Sequence, residues 1–233
     1  MQIVEPYAKM MNSPNLSYGV QLLQTIEWIG RISHRSEDAQ TDASWERFLR
    51  TVVLSHGDWS ITEHVVLSVD ALVDRGITHE WVRHRIGAYT QESTRFVNYA
   101  KKHTATHEFV NPAKFICPPS VLEMKNTGKE WVFDRWCRGR EADEEEYMFL
   151  IEQGVKAQEA RSVFPNALAA RLIATYNLRN WRHFFLMRTT REAHPQMRQV
   201  AIPLLQEFQS KIPVLYEDIE PEAKQSDNMR KMR

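Results

Sequence analysis

Arg83-His84-Arg85-Ile86-Gly87-Ala88-Tyr89-Thr90-Gln91-Glu92-Ser93-Thr94-Arg95-Phe96 sets three arginines, a histidine, a glutamate and three aliphatic hydroxyls in fourteen consecutive positions, with no long apolar run. Such a segment contributes little by burying hydrophobic surface. Its donors suit an anionic, heteroatom-rich ligand, because guanidinium forks match phosphate and carboxylate oxygens. Taken alone, a cluster of this kind reads more simply as a solvated charged turn. Arg161, Arg179 and Arg188 add further guanidinium groups, each at the edge of an apolar-patterned segment rather than in a charge run. An arginine so placed is either a structural ion-pair partner or an anion clamp, and for any one of them alone the ion pair is the simpler reading.

Other chemistries find weaker support. Cys117 precedes two prolines and Cys137 lies between Trp136 and Arg138, so neither stands in a neighbourhood that activates a thiol. His79 and His84 have the wrong spacing to share one helix face, there is no Cys-x-x-Cys, and no metal site is expected. The chain has only 8 glycines and no G-x-G-x-x-G. A nucleotide here is therefore held by side chains and helix ends, not by a nest of glycine amides.

The elements that must position these groups follow from periodicity. Residues 15–34 read as a helix with Leu22, Ile26 and Ile29 on one stripe. Residues 44–55 read as another, with Trp45, Phe48, Leu49, Val52 and Val53 at helical spacing and Gly57 as its stop. Val65, Leu67, Val69, Ala71 and Val73 alternate with polar residues, which predicts a strand buried mainly on one face. A short helix carrying Trp81 and Val82 follows, with Thr78 as its expected cap. Phe96, Asn98 and Tyr99 are expected to begin an extended piece, and residues 104–120 a loop. Residues 121–158 read as helical, the acidic run Glu141–Glu146 as a solvated helix start. Leu168–Tyr176 predicts a strand, Leu178–Arg188 a helix, and residues 195–210 a last helix kinked at Pro203. From about 218 the tail is charged and expected to fray. No linker divides residues 1–233, so the expectation is one α+β domain with an antiparallel sheet flanked by helices.

Composition sets the bounds. With 42% apolar and 26% charged residues, the chain has the make-up of an ordinary globular protein. Its 30 basic residues match its 30 acidic ones, which argues against general nucleic-acid binding; the arginines act locally. No apolar run approaches the roughly 20 residues of a membrane span, and the first residues do not have the pattern of a secretory signal. Two cysteines support neither a disulfide framework nor a structural zinc, so a reducing cytoplasm is expected.

The whole constellation resembles the flavin-dependent thymidylate synthases. Arg83-His84-Arg85, then seven residues, then Ser93 is similar to that family's R-H-R and serine signature. Glu63-His64 resembles its E-H, Ser93-x-Arg95 its S-x-R-Y, and Ala160 to Pro165 its A-R-x-x-L-P. Asn177-Leu178-Arg179 is similar to its N-x-R, and Leu186-Met187-Arg188 to its second C-terminal arginine; the likeness runs from about residue 50 to about 215.

The resemblance implies synthesis of dTMP from dUMP, with methylenetetrahydrofolate as carbon donor and FAD, reduced by NADPH, as hydride source. No enzyme cysteine need attack the pyrimidine, in keeping with Cys117 and Cys137. It implies that Ser60, Arg83, His84, Arg85, Gln91, Asn177, Leu178, Arg179 and His183 contact the flavin. It further implies that Glu80, Trp81, Val82, Arg83, Gln91, Glu92, Ser93, Thr94, Arg95, Arg161 and Arg188 line the dUMP site. Arg95 and Arg161 would bind the phosphate, and Arg188, the expected catalytic residue, would activate the uracil. Ser93 has no visible histidine-plus-acid relay and is expected only to hydrogen-bond substrate. A homotetramer with active sites shared between subunits is implied as well. Thr90-Gln91 replaces the family's common Asn-Glu, with Glu92 one place later; Phe96 replaces a tyrosine; Asp58, His183 and His194 are further departures. The alternative is a non-catalytic nucleotide- or RNA-binding protein reusing the same pocket.

Overall fold

The computed structural model describes residues 1–11, 16–102 and 104–224. The chain opens with β1 (Gln2–Ile3), β2 (Tyr7–Met10) and α1 (Leu16–Ile32). The helix expected over 15–34 is therefore present, position 15 lying outside the described residues. Its buried face is Gly19, Leu23, Ile26, Glu27 and Gly30, not the anticipated Leu22–Ile26–Ile29 stripe. The two glycines explain the rotation. A Cβ on Gly19 would collide with the Lys211 carbonyl, and one on Gly30 would lie 2.8 Å from the Phe48 ring.

α2 (Ser44–Leu49) runs on into a π-helical turn, Arg50–Ser55, and the chain then turns at Gly57, whose φ is +83°. β3 (Val66–Asp74) buries Leu67, Val69, Ala71 and Val73 as the alternation requires. It also buries Asp70 and Asp74, so its second face is more covered than expected. Asp74, not Thr78, caps α3 (Arg75–Trp81): its Oδ1 accepts from the Ile77 amide at 2.9 Å, satisfying one of the orphan donors of the first turn. Thr78 lies inside the helix and donates its hydroxyl to the Arg75 carbonyl at 2.9 Å.

β4 (Ala88–Gln91) is a strand within the arginine-rich stretch itself. The piece expected to be extended after it is instead a turn, in which the amides of Phe96 and Val97 both donate to the Ser93 carbonyl at 3.1 and 2.9 Å. β5 (Lys114–Phe115), α4 (Pro119–Glu123), α5 (Glu130–Glu152) and α6 (Ala157–Ala160) follow. The acidic run 141–146 lies in the middle of α5, not at a helix start. α5 buries only Phe133 and Tyr147, which leaves most of its circumference to polar residues. β6 (Ala169–Asn177), α7 (Leu178–Arg188) and α8 (Pro195–Lys211) complete the order, with Pro203 inside α8.

Four strands form a sheet in the order β2-β3-β6-β4. β3 and β6 are antiparallel: Ser68 meets Thr175 side chain to side chain, while Val65 bonds Leu178 before them and Arg75 bonds Leu168 after them. β1 and β5 make a separate parallel pair, Gln2 opposite Lys114, which the expectation of an antiparallel sheet did not include.

Two compact units can be distinguished. One comprises Met1–Tyr7, Leu72–Arg83 and Thr90–Leu172, with a core of Tyr99, Ala113, Phe115, Tyr147, Ala160 and Leu168. The other comprises Ala8–Ala71, His84–Tyr89 and the chain from Ile173 on. Its core is an aromatic cluster in which Trp181, Phe185, Phe208 and Tyr216 meet at centroid distances of 4.9 to 6.0 Å. The tail expected to fray from about 218 makes contacts over its described residues. Asp218 accepts two bonds from Arg182 at 2.7 and 2.6 Å, Ile219 is buried, and Glu222 bonds Thr189. Residues 225–233 lie outside the described residues.

Candidate active site

The unit that contains α7 holds the C-terminal arginines and one half of the arginine-rich stretch. Asn177 ends β6 in an extended conformation, and its side chain accepts from the Asn180 amide at 2.8 Å, which starts α7. Leu178 is a core residue; its amide donates to Val65, and its carbonyl accepts from the Tyr216 hydroxyl at 2.9 Å. One turn on, α7 presents Arg179, Asn180, Arg182, His183 and Leu186 to a cavity of about 260 Å³ that Trp59 and Arg85 complete. Arg179 is half-exposed and paired with Glu63 at 2.5 Å. Arg182 stacks over Trp59 at 4.5 Å and is fixed by Asp218. Ser60 is exposed on the 3₁₀ turn Trp59–His64 and does not line this cavity.

The turn from His84 to Tyr89 is latched down. The Tyr89 hydroxyl donates to the His84 carbonyl and meets the Tyr176 hydroxyl at 2.6 Å, and Asn180 Nδ2 donates to the Ile86 carbonyl at 2.8 Å. Gly87 is required here because a Cβ would overlap the Tyr176 ring. The latch brings the buried His84 ring to the end of α7, where Arg188 Nε donates to His84 Nε2 at 2.8 Å. Burial, then the charge of Arg188 and the neighbouring His183, push the His84 pKa down to about 3. Burial, then Arg188, likewise hold His183 below its ordinary value. Both imidazoles are neutral at pH 7, and the Nδ1 of each is buried with no hydrogen-bond partner among the described residues.

In the other unit, α3 ends with Trp81 fully buried, Glu80 half-buried, and Val82 and Arg83 exposed. Gln91 Nε2 donates to Thr78 Oγ1 at 3.0 Å. Glu92 accepts from the Tyr99 hydroxyl at 3.2 Å and the Arg171 amide at 3.3 Å, which braces it between two elements of its own unit. Ser93 Oγ accepts from the Arg95 amide at 3.3 Å. Arg161 Nη1 donates to Thr94 Oγ1 at 2.9 Å and its Nε to the Gln158 carbonyl at 3.1 Å. Arg95 Nε reaches Gln158 Oε1 at 3.1 Å, and its guanidinium lies 5.3 Å from the Phe96 ring centroid. Arg75, Thr94, Gln158, Glu159, Arg161, Ser162, Phe164 and Leu168 line a cavity of about 660 Å³ in this unit.

The expected residues thus gather into two groups. Arg85, Arg179 and His183 share one cavity, with His84 and Arg188 bonded to each other in the same unit; Thr94 and Arg161 share the other, with Arg95 bonded to Gln158 on its wall. Leu178 and Trp81 face cores, and the side chains of Asn177, Gln91 and Glu92 are engaged by their own units. Sequence reasoning did not single out Trp59, Asn180, Arg182, Leu186 or Arg75. Asn180 and Leu186 lay within segments already picked out, but no pattern in the sequence marks which face of α7 is hollow. Burial raises the Cys117 thiol to about 11 and also raises that of Cys137, so neither is a poised thiolate. No cluster of metal-ligating side chains occurs among the described residues.

The family model described as "Thymidylate synthase complementing protein" matches residues 15–214. The flavin-dependent thymidylate synthase of Saccharolobus solfataricus is 34% identical over 182 residues, 77% of this chain and 63% of that protein. The enzyme of the same name from Corynebacterium aurimucosum is 32% identical over 201 residues, 83% of this chain and 78% of that protein. Among solved structures, the UMP/dUMP methylase PolB from Streptomyces cacaoi, bound with 5-Br dUMP, superposes with a TM-score of 0.73. It is 21% identical and covers 93% of this chain and 96% of its own, a likeness of fold. Matched over residues 15–214 and with relatives above 30% identity across three quarters of its length, the chain belongs to the thymidylate synthase complementing protein family.

Proposed function

We propose that the protein is a flavin-dependent thymidylate synthase that methylates dUMP to dTMP, with methylenetetrahydrofolate as carbon donor and NADPH as reductant. The observation that carries the reading is the division of one arginine-rich stretch between two basic cavities, each completed by arginines from far down the chain.

The residues around the smaller cavity fit a flavin. Arg85, Arg179 and Asn180 offer fixed donors, and the buried Nδ1 of His183 lacks a protein partner, a state that is costly without a ligand heteroatom. Bound FAD supplies the hydride of the reaction. Arg85, Arg179 and His183 are the residues best placed to hold it, with Ser60 and Arg83 exposed nearby in sequence. Asn177 and Leu178 support α7 rather than lining the cavity. At about 260 Å³ this cavity falls below the roughly 300–1,000 Å³ of a typical small-ligand site. Walls from a second subunit would close it, in keeping with a homotetramer.

In the other cavity Arg161, oriented by Thr94 and the Gln158 carbonyl, takes the dUMP phosphate, with Arg95 beside it. Ser93 hydrogen-bonds substrate. Arg188, which is bonded to His84 in the unit of the smaller cavity, is the group that stabilises negative charge developing on the uracil oxygens and makes carbon 5 nucleophilic without an enzyme cysteine. Purified protein reconstituted with FAD is expected to be yellow. Arg188→Ala should keep its flavin while dTMP formation falls by roughly 10²-fold or more, as for loss of a donor aimed at developing charge. Turnover surviving that change would remove Arg188 from the catalytic role.

A further inference from the structure

We infer that His84 is a positioning residue for Arg188, holding its guanidinium through the unprotonated Nε2 rather than serving chiefly as a flavin contact. The inference rests on the reading of Arg188 as the uracil-activating group. A guanidinium carries five N–H donors and no acceptor, so a neighbour can orient it only by offering a lone pair. Most fixed arginines of this chain have a carboxylate or carbonyl for that purpose: Arg179 has Glu63, Arg182 has Asp218 and Arg161 has the Gln158 carbonyl. At Arg188 Nε the acceptor is an imidazole nitrogen at 2.8 Å. The difference has a chemical consequence. A carboxylate at Nε would neutralise part of the positive charge that the pyrimidine must meet, whereas a neutral imidazole at that nitrogen orients the cation without adding a negative charge of its own.

The ring is built to do this. His84 is buried, with edge-on contacts to Phe184 at 5.0 Å and to His183 at 5.7 Å. Its backbone carbonyl is held by Tyr89, which in turn meets Tyr176. The titratable groups facing it, Arg188 and the nearby His183, both disfavour a proton on it, as does burial. With Nε2 accepting, the ring proton lies on Nδ1, and Nδ1 is the only ring nitrogen left to a ligand. Arg188 is the last residue of α7, and its bond to His84 ties its side chain to the turn that precedes β4.

The test has two arms. Nitrogen-15 NMR of the full-length protein should show His84 Nε2 unprotonated and unchanged between about pH 5 and pH 8, with the Arg188 Nε–H protected from solvent exchange. That protection should vanish in His84→Ala. In turnover, His84→Ala should lower kcat by roughly 10²-fold with flavin content and the KM for dUMP little changed. His84→Gln, which presents a carbonyl oxygen to Arg188, should recover a substantial part of the loss. An unprotected Arg188 Nε–H in the native protein would overturn the inference. So would a His84→Ala protein that sheds its flavin yet turns over normally once flavin is restored. If His84→Ala fails to fold, His84→Gln and the native spectra still decide. Native protein that makes no dTMP would sink the enzyme reading, while the NMR arm would still establish or refute the bracing of Arg188.

Discussion

Arg188 and His84 stand 104 positions apart in sequence and 2.8 Å apart in space. The arginine was legible from its place in the motif order. Its partner was not, because a histidine's lone-pair role depends on burial and tautomer, which no residue pattern encodes. The same contact makes a pH prediction. His84 has a folded pKa of about 3, below the value near 6.5 of an unfolded histidine, and His183 is shifted in the same direction. The unfolded chain therefore binds more protons than the native one as pH falls below about 6.5. Stability from these two groups is fully present above that pH and is lost progressively toward pH 3. Denaturant midpoints measured at pH 7.5 and pH 5 should differ in favour of pH 7.5, with His84→Gln showing a smaller difference.

At the scale of elements, periodicity placed β3, β6, α7 and α8 to within a residue or two, since each has a continuous apolar face. It missed β4, whose Ala88-Tyr89-Thr90-Gln91 has too little apolar content to announce a strand; pairing within the sheet makes it one. It misplaced the cap of α3, because a valid N-cap residue stood at both Asp74 and Thr78 and only the chain path decides between them. Asn177 has a structural role at this scale. The resemblance gives it to the flavin, whereas its side chain caps the helix that carries Arg179, His183 and Arg188. Asn177→Ala should cost about 0.5–2 kcal/mol in equilibrium unfolding, and Asn177→Asp, a comparable cap, much less. An Ala variant of native stability would show that the cap is not what this residue supplies.

Across the whole molecule, two compact units each enclose a basic cavity, and the arginine-rich stretch contributes to both: His84–Tyr89 to one unit, Arg83 and Thr90–Phe96 to the other. The resemblance gives Arg83–Arg85 mainly to flavin and Gln91–Arg95 mainly to dUMP, with Arg83 shared; of these residues, Arg85 lines one cavity and Thr94 the other. The hollows themselves were not legible, since a cavity is made by residues from segments whose approach only tertiary packing determines. No helix among the described residues is long and apolar enough to cross a membrane. Exposed Ile86 and Phe96 flank the site residues, at 85% and 79% of full accessibility, as expected of surfaces that a neighbouring subunit covers. The proposed homotetramer predicts that light scattering reports a tetramer and that dilution below its dissociation range lowers flavin content and activity together. Full activity in a monomer would remove the shared-site proposal. The most direct measurement incubates FAD-reconstituted protein with dUMP, methylenetetrahydrofolate and NADPH without oxygen and separates the nucleotides by chromatography. dTMP appearing as dUMP disappears, and only when every component is present, is the predicted result; flavin-loaded protein that leaves dUMP unchanged would contradict it.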